Sequence, residues 1–259
     1  MRVLRVLRVL GIGWLLHFKI ISRSPFAMGV GVTWPIVNAT IAYFMYRAGG
    51  HPQTLLYASL GSAVAGIWSM AAIDVTGAIQ RQRWWGTLEL LVGAPVPFAL
   101  ILLPMAIAIA SAGIYALATT LLWGRLVYGI PLPLEHPLAF VVAVPVTIAS
   151  LGVLGFALSM VLMRFRTAGW IGNSLEYPVW IVSGLLFPIA VLPAWSHPIS
   201  WALAPTWGMR ALLHSALGGH PWREVGLCAG LAVVYAALGV ALLERFLDAA
   251  RERATLSLT

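Results

Sequence analysis

Apolar and polar positions along the chain separate into long blocks. Apolar stretches cover roughly residues 26–46, 54–75, 96–122, 138–163, 169–190 and 225–246, and each is close to the ~20 residues an α-helix needs to cross ~30 Å of hydrocarbon. The pattern predicts an all-α integral membrane protein with six transmembrane helices. Six crossings return a chain to its starting side, so both termini are expected on one face. Ahead of the first stretch, Arg2, Arg5 and Arg8 recur every third residue among Leu4, Val6, Leu7, Val9 and Leu10, followed by Leu15, Leu16, Lys19 and Arg23. This spacing predicts an N-terminal amphipathic helix over 1–24, lying in the membrane interface with its cations near anionic headgroups; a topogenic leader for the first span is the alternative. The helical period of those arginines argues against a cleaved signal peptide. Punctuated loops fall at Gly49-Gly50-His51-Pro52, between Gly124 and Pro137, and over 193–222. No internal repeat is visible.

Composition removes the soluble alternatives. Hydrophobic residues make up 61% of the 259, charged residues 9%, and the mean hydropathy is +0.91. Eight acids cannot coat a water-exposed surface, whereas lipid-facing helices require an apolar one. The net charge of +8 comes from basic residues that are sparse and separated by apolar runs, so no face exists to track phosphates and nucleic acid is not an expected partner. The positive excess instead orients the chain. With the N-terminus inside, twelve basic residues fall in cytoplasmic segments and four, Arg47, Arg125, Arg210 and Arg223, fall outside; the reverse orientation would invert the bias that governs insertion. A multi-pass protein of the cell membrane with both termini cytoplasmic is expected.

Candidate chemistry is thin. Cys228 is the single cysteine and lies in an apolar stretch, which excludes a disulfide framework and a cysteine-rich metal site. His197, His214 and His220 match no usual ligand spacing, so no metal is expected. Lys19 is the sole lysine, so the chain has no Gly-x-x-x-x-Gly-Lys-Ser/Thr loop and does not itself hydrolyse ATP. Tryptophans and tyrosines near span ends, Trp34, Trp123, Tyr128, Trp170 and Trp222, read as interfacial belts.

Two stretches depart from plain spans and short loops. Between spans two and three the chain reads Ile79-Gln80-Arg81-Gln82-Arg83-Trp84-Trp85-Gly86-Thr87-Leu88-Glu89-Leu90-Leu91-Val92-Gly93-Ala94-Pro95-Val96-Pro97. Its polar head and apolar tail predict a helix over 79–92 lying against the membrane base, stopped by Gly93 and Pro95. Span five carries Asn173, Ser174 and Glu176, then Ser183-Gly184-Leu185-Leu186-Phe187-Pro188, and continues to Pro193, Trp195, Pro198 and Pro205. A carboxylate at the depth of Glu176 costs a few kcal/mol if left unpaired in lipid, so it must face protein or water. Two roles stay open for it: a brace bonded to Asn173, Ser174 or a neighbouring span, or a lining residue of a translocation path together with Asn173. Asp74, at the inner end of span two, reads as a helix-terminal or interfacial anion.

The segment QRQRWWGTLELLVGAPVP resembles the coupling-helix segment of ABC transporter type-2 permeases, the membrane subunits of bacterial ABC exporters, and the Ser-Gly-Leu-Leu-Phe-Pro string with the following Leu-Pro-x-Trp resembles the signature portion of the same family. The resemblance covers nearly the whole chain in layout, but these two stretches alone carry specific motifs. It implies a single permease domain over 1–259. It also implies a cytoplasmic coupling helix over 79–92 that docks on a separate ATPase subunit through Arg81, Gln82, Arg83, Gly86, Thr87 and Glu89. At Gln80 and Gln82 the family commonly carries an acid. Short re-entrant outer helices over 193–222, and a second permease chain, the same or homologous, that shares the pathway, are implied too. ATP and magnesium would belong to the ATPase. Aromatic, apolar span faces favour an amphipathic or hydrophobic cargo, drug, antibiotic or lipid-like. A proton-coupled secondary transporter or an intramembrane enzyme using Asp74 and Glu176 are the competing classes.

Overall fold

The computed structural model describes residues 2–47, 52–78, 85–86, 97–162, 165 and 168–253. Among them every regular element is helical. In chain order these are α1 (Arg2–Ser22), α2 (Pro25–Arg47), α3 (Pro52–Ser69), which runs on through a π-helical turn (Met70–Asp74), α4 (Ala99–Ser111), α5 (Gly113–Tyr128) and α6 (Pro137–Leu162). They are followed by α7 (Ala168–Ser174), α8 (Glu176–Val182), 3-10 turns at Ile189–Val191 and Ala194–Ser196, α9 (His197–Ala202), α10 (Ala204–Leu217) and α11 (Pro221–Arg253).

Among the described residues five helices are long and apolar enough to cross a bilayer: Met28–Arg47, Thr54–Ala78, Ala99–Tyr128, Pro137–Leu162 and Pro221–Phe246. They correspond to five of the six expected stretches. The stretch at 169–190 is different. It forms the short helices α7 and α8, seven residues each, with a turn at Leu175 between them and irregular backbone after Val182. Pro178 contributes, because its ring nitrogen cannot donate to the Ser174 carbonyl four residues back and its ring crowds it, although Pro35, Pro104 and Pro145 lie inside unbroken helices. The expectation of one unbroken helix there is corrected accordingly.

The core is a layer of helices around α3. Trp68, Leu56, Leu60, Leu151, Leu185 and Leu212 are essentially excluded from the surface, and a second cluster joins Phe98, Leu102, Phe156, Met160 and Leu243 towards the end of the bundle where α4 begins. Without water to drive helices together, close backbone approach and hydroxyl bonds do the work. Gly61 sits directly against the Leu185 carbonyl, Gly155 against the π turn at Ala71, and Gly239 against the Phe156 ring. Thr76 and Ser159 meet at 3.1 Å between their hydroxyl oxygens, and the Ser150 hydroxyl donates to the Cys228 carbonyl at 2.9 Å. Gly129, at φ 65°, ends α5 in the left-handed region, its N–H returning to the Gly124 carbonyl, as a residue without Cβ permits.

The N-terminal helix forms as the arginine spacing predicts, but it is docked on protein. The Trp14 Nε1 donates to the Ser111 hydroxyl at 2.9 Å, Trp14 stacks on Phe18 and Phe18 on Tyr115, and Gly13 faces Pro104. Its other side leaves Leu4, Leu7, Ile12, Leu16 and Ile20 exposed.

Candidate functional site

One cavity combines size with polar lining. About 510 Å³ of space lies between α2, the C-terminal half of α3 with its π turn, and the broken α7–α8 segment. Trp34, Pro35 and Val30 come from α2, Gly66 and Ser69 from α3, Met70 and Asp74 from the π turn, and Asn173 and Glu176 from α7 and α8. Two backbone irregularities make this space. The π turn widens the α3 ladder by one residue, an insertion found disproportionately where helices carry function. The break at Leu175 starts a new helix at Glu176, so Asn173 and Glu176 reach the same cavity across it.

Both residues singled out in span five therefore line one space. Glu176 is 4% exposed, and its carboxylate accepts a hydrogen bond from the Ser69 hydroxyl. That hydroxyl also lies 3.0 Å from the Ala65 carbonyl. Of the three partners considered from sequence, the neighbouring span supplies the bond; Ser174 instead donates back to the Trp170 carbonyl at 2.9 Å. The two open roles of Glu176 thus coincide geometrically, since the residue that braces α8 to α3 also faces the cavity. Asp74 enters the same lining, which its reading as a helix-terminal anion did not foresee. Ser69 was missed altogether: a serine inside an apolar run carries no mark of a partner 107 residues away.

The irregular backbone after α8 is enclosed by side chains. Its carbonyls are the orphans of a helix end, and such groups cannot be left bare away from water. The Ser200 hydroxyl donates to the Val182 carbonyl at 2.6 Å and the Thr206 hydroxyl to the Ser183 carbonyl at 3.0 Å. Tyr57 donates to the Gly184 carbonyl and Tyr46 to the Leu186 carbonyl. Four side chains from α2, α3, α9 and α10 thereby hold the end of the broken segment.

Of the expected ATPase contacts, Arg81, Gln82, Arg83, Thr87 and Glu89 lie outside the described residues. Gly86 is described: with Trp85 it forms a turn, at φ 66°, and nothing lies within 4 Å of where its Cβ would be. A left-handed glycine does not continue α-helical backbone, so Trp85 and Gly86 form a turn where the sequence predicts helix, and the rest of 79–92 lies outside the described residues. At the opposite end of the bundle, Glu224, 4% exposed, pairs with Arg210 at 3.4 Å and His214 at 3.5 Å, while Arg210 also lies over the Trp207 ring. No protein-family model matches the chain, and no curated protein matches it either.

Proposed function

We propose that the chain is the membrane-spanning permease subunit of an ATP-driven exporter of the ABC type-2 kind, moving an amphipathic or hydrophobic substrate outward with energy from a separate ATPase. The observation that carries this reading is the cavity between α2, α3 and α7–α8. A cargo site needs a space of molecular size with an apolar wall and a few oriented polar groups, and this one has Trp34, Pro35 and Met70 as wall and Ser69, Asn173 and Glu176 as polar groups.

A sixth crossing belongs to the proposal. Gly172 faces Ala72 and Thr76 near one end of α3, whereas Leu185 lies against Gly61 and Gly184 against Tyr57 near the other. In this reading the broken segment travels the length of α3 in two pieces, six crossings put both termini on one face, and the twelve-to-four bias of basic residues makes that face cytoplasmic. The stretch from Ala194 to Leu217 would then be the re-entrant outer region, its backbone shielded by α6, α8 and α11. Cysteine labelling at Thr255 and at His51 should report opposite faces of the membrane; labelling of both from outside rules out this topology.

The coupling role rests on the resemblance at 79–92, with the Trp85–Gly86 turn as its described feature. Replacing Gly86 by valine, or Glu89 by lysine, should uncouple ATP hydrolysis from transport while leaving membrane insertion unchanged. The direct test is ATP-driven accumulation in inverted vesicles together with co-purification of a nucleotide-binding subunit. Asp74 and Glu176 on one cavity also favour a second reading, a proton-coupled transporter. Transport driven by a proton gradient without ATP, and abolished by an uncoupler, would select that reading over the first.

A further inference from the structure

The charge in the cavity opposes the charge of the chain. Sixteen basic residues give the protein a net charge of +8, yet among the described residues no basic side chain lines this space, while Glu176 and Asp74 both do. Glu176 is buried, its bonded partner is the neutral hydroxyl of Ser69, and among the described residues no basic side chain comes within ion-pair distance of it. A buried carboxylate with no counter-ion is unfavourable in a low-dielectric setting, and it is relieved by a cation or a proton. Trp34 adds a second element that attracts cations, an indole that lines the cavity from α2 and is 44% exposed. The remaining wall, from Val30, Pro35, Met70 and Ile73, is apolar.

We propose that this cavity recognises organic cations, an ammonium or comparable delocalised positive centre carried on an apolar body, with Glu176 as the counter-ion and Trp34 as the aromatic wall. The inference rests on the transport reading above and narrows its cargo. The volume of about 510 Å³ suits a molecule of drug size. An inorganic ion would leave the apolar wall without a partner, and a neutral lipid-like molecule would leave Glu176 without a counter-ion. Asn173 can donate to an acceptor group beside the cationic centre.

The test uses the full chain in lipid nanodiscs, with tetraphenylphosphonium as the cation and triphenylphosphine oxide as the neutral counterpart, each corrected for empty discs. The unmodified chain should bind the cation at least about tenfold more tightly than the neutral compound, the size of one charge-assisted contact. Glu176→Gln should remove that preference while leaving binding of the neutral compound unchanged, and Trp34→Leu should weaken the cation by about threefold. Glu244→Gln, on α11 and away from the cavity, should change nothing. Equal binding of both compounds by the unmodified chain overturns the proposal whatever the variants do, as does an undiminished preference in a folded Glu176→Gln chain. The assay contains neither ATPase nor ATP. A chain that binds the cation but recruits no ATPase keeps this site and loses the energy source, and ATP-driven export without preference for cations does the reverse.

Discussion

The interface of α3 with α6 and the interface of α3 with α7–α8 join the same helix to two neighbours that differ in what accompanies the close packing of glycines. Against α6, small residues let backbones touch: Gly155 rests on Ala71, and hydroxyls of Thr76 and Ser159 meet between the helices while each also bonds its own preceding turn. Against α7–α8 and the backbone that follows, Gly172 and Gly61 also admit close backbone approach, but polar side chains join them, with Ser69 donating to Glu176 and Tyr57 to the Gly184 carbonyl. At the first interface a Cβ on Gly155 would overlap the Ala71 backbone, and the second borders a cavity of about 510 Å³. Close packing gives a surface that a single added methyl group disturbs. A polar, interrupted surface is held by fewer and more directional contacts, and it can change arrangement without dismantling the core.

The largest effect should follow from breaking the tight side. A Cβ at Gly155 would stand 2.9 Å from the Ala71 carbonyl carbon and 3.2 Å from its Cβ, in the π turn itself. Backbone cannot swing aside as a side-chain tip can, so Gly155→Leu should cost about 3 kcal/mol or more. Thermal unfolding in detergent followed by size-exclusion fluorescence should show an early melt or no folded peak. A wild-type melt would mean that the two helices are not in contact.

On the open side the second prediction separates stability from transport. Glu176→Gln retains an acceptor for the Ser69 hydroxyl, so its melt should shift by no more than about 1 kcal/mol, the net worth of one hydrogen bond, while export falls at least about tenfold, as expected when an oriented charge contact is lost. Glu176→Leu should abolish export as well as the bond to Ser69. Wild-type export by the Leu variant with unchanged melting would remove the residue from both roles.

The tight side was legible in the sequence and the open side only in part. Five long apolar blocks can do little in lipid except become helices, and the lengths 138–163 and 225–246 fall close to Pro137–Leu162 and Pro221–Phe246. Hydropathy saw 169–190 as another such block because its Ile, Leu, Val and aromatic residues outweigh Pro178, whose effect is on the backbone ladder four residues upstream. Asn173 and Glu176 announced themselves because polar groups in spans are costly, and both reach the cavity. Ser69, Tyr46 and Tyr57 did not, since their partners are more than 100 residues away and a hydroxyl in a span satisfies itself on its own helix just as well. The turn at Gly86 was hidden for a different reason. A glycine within a helix-like pattern is compatible with a continuous helix or a left-handed turn, and neighbouring residues alone do not choose.

A third, smaller effect concerns the cap on the broken segment. Tyr57→Phe keeps the ring and removes the hydroxyl that reaches the Gly184 carbonyl, leaving a buried acceptor unpaired at a cost of about 1–2 kcal/mol. The melt should fall accordingly. Transport should suffer as well, because the end of α8 positions Glu176 from six residues away. A variant with unchanged melting and export would show that water reaches this carbonyl and that the enclosure by side chains is not needed.

The smallest effect should come from a glycine that neither interface uses. Gly230 on α11 is exposed and has nothing within 4 Å of where its Cβ would stand, in contrast to Gly155, so the same kind of residue carries opposite consequences according to what faces it. Alanine there adds a methyl group to open space and removes backbone freedom from the unfolded chain, which favours the helix by up to about 1 kcal/mol. The melt of Gly230→Ala should therefore be unchanged or slightly raised, with export intact. A drop comparable to that of Gly155→Leu would mean that this face of α11 is closely packed against another chain in the membrane, and the division into a tight side and an open side would then have to be redrawn for the assembly and not for the single chain.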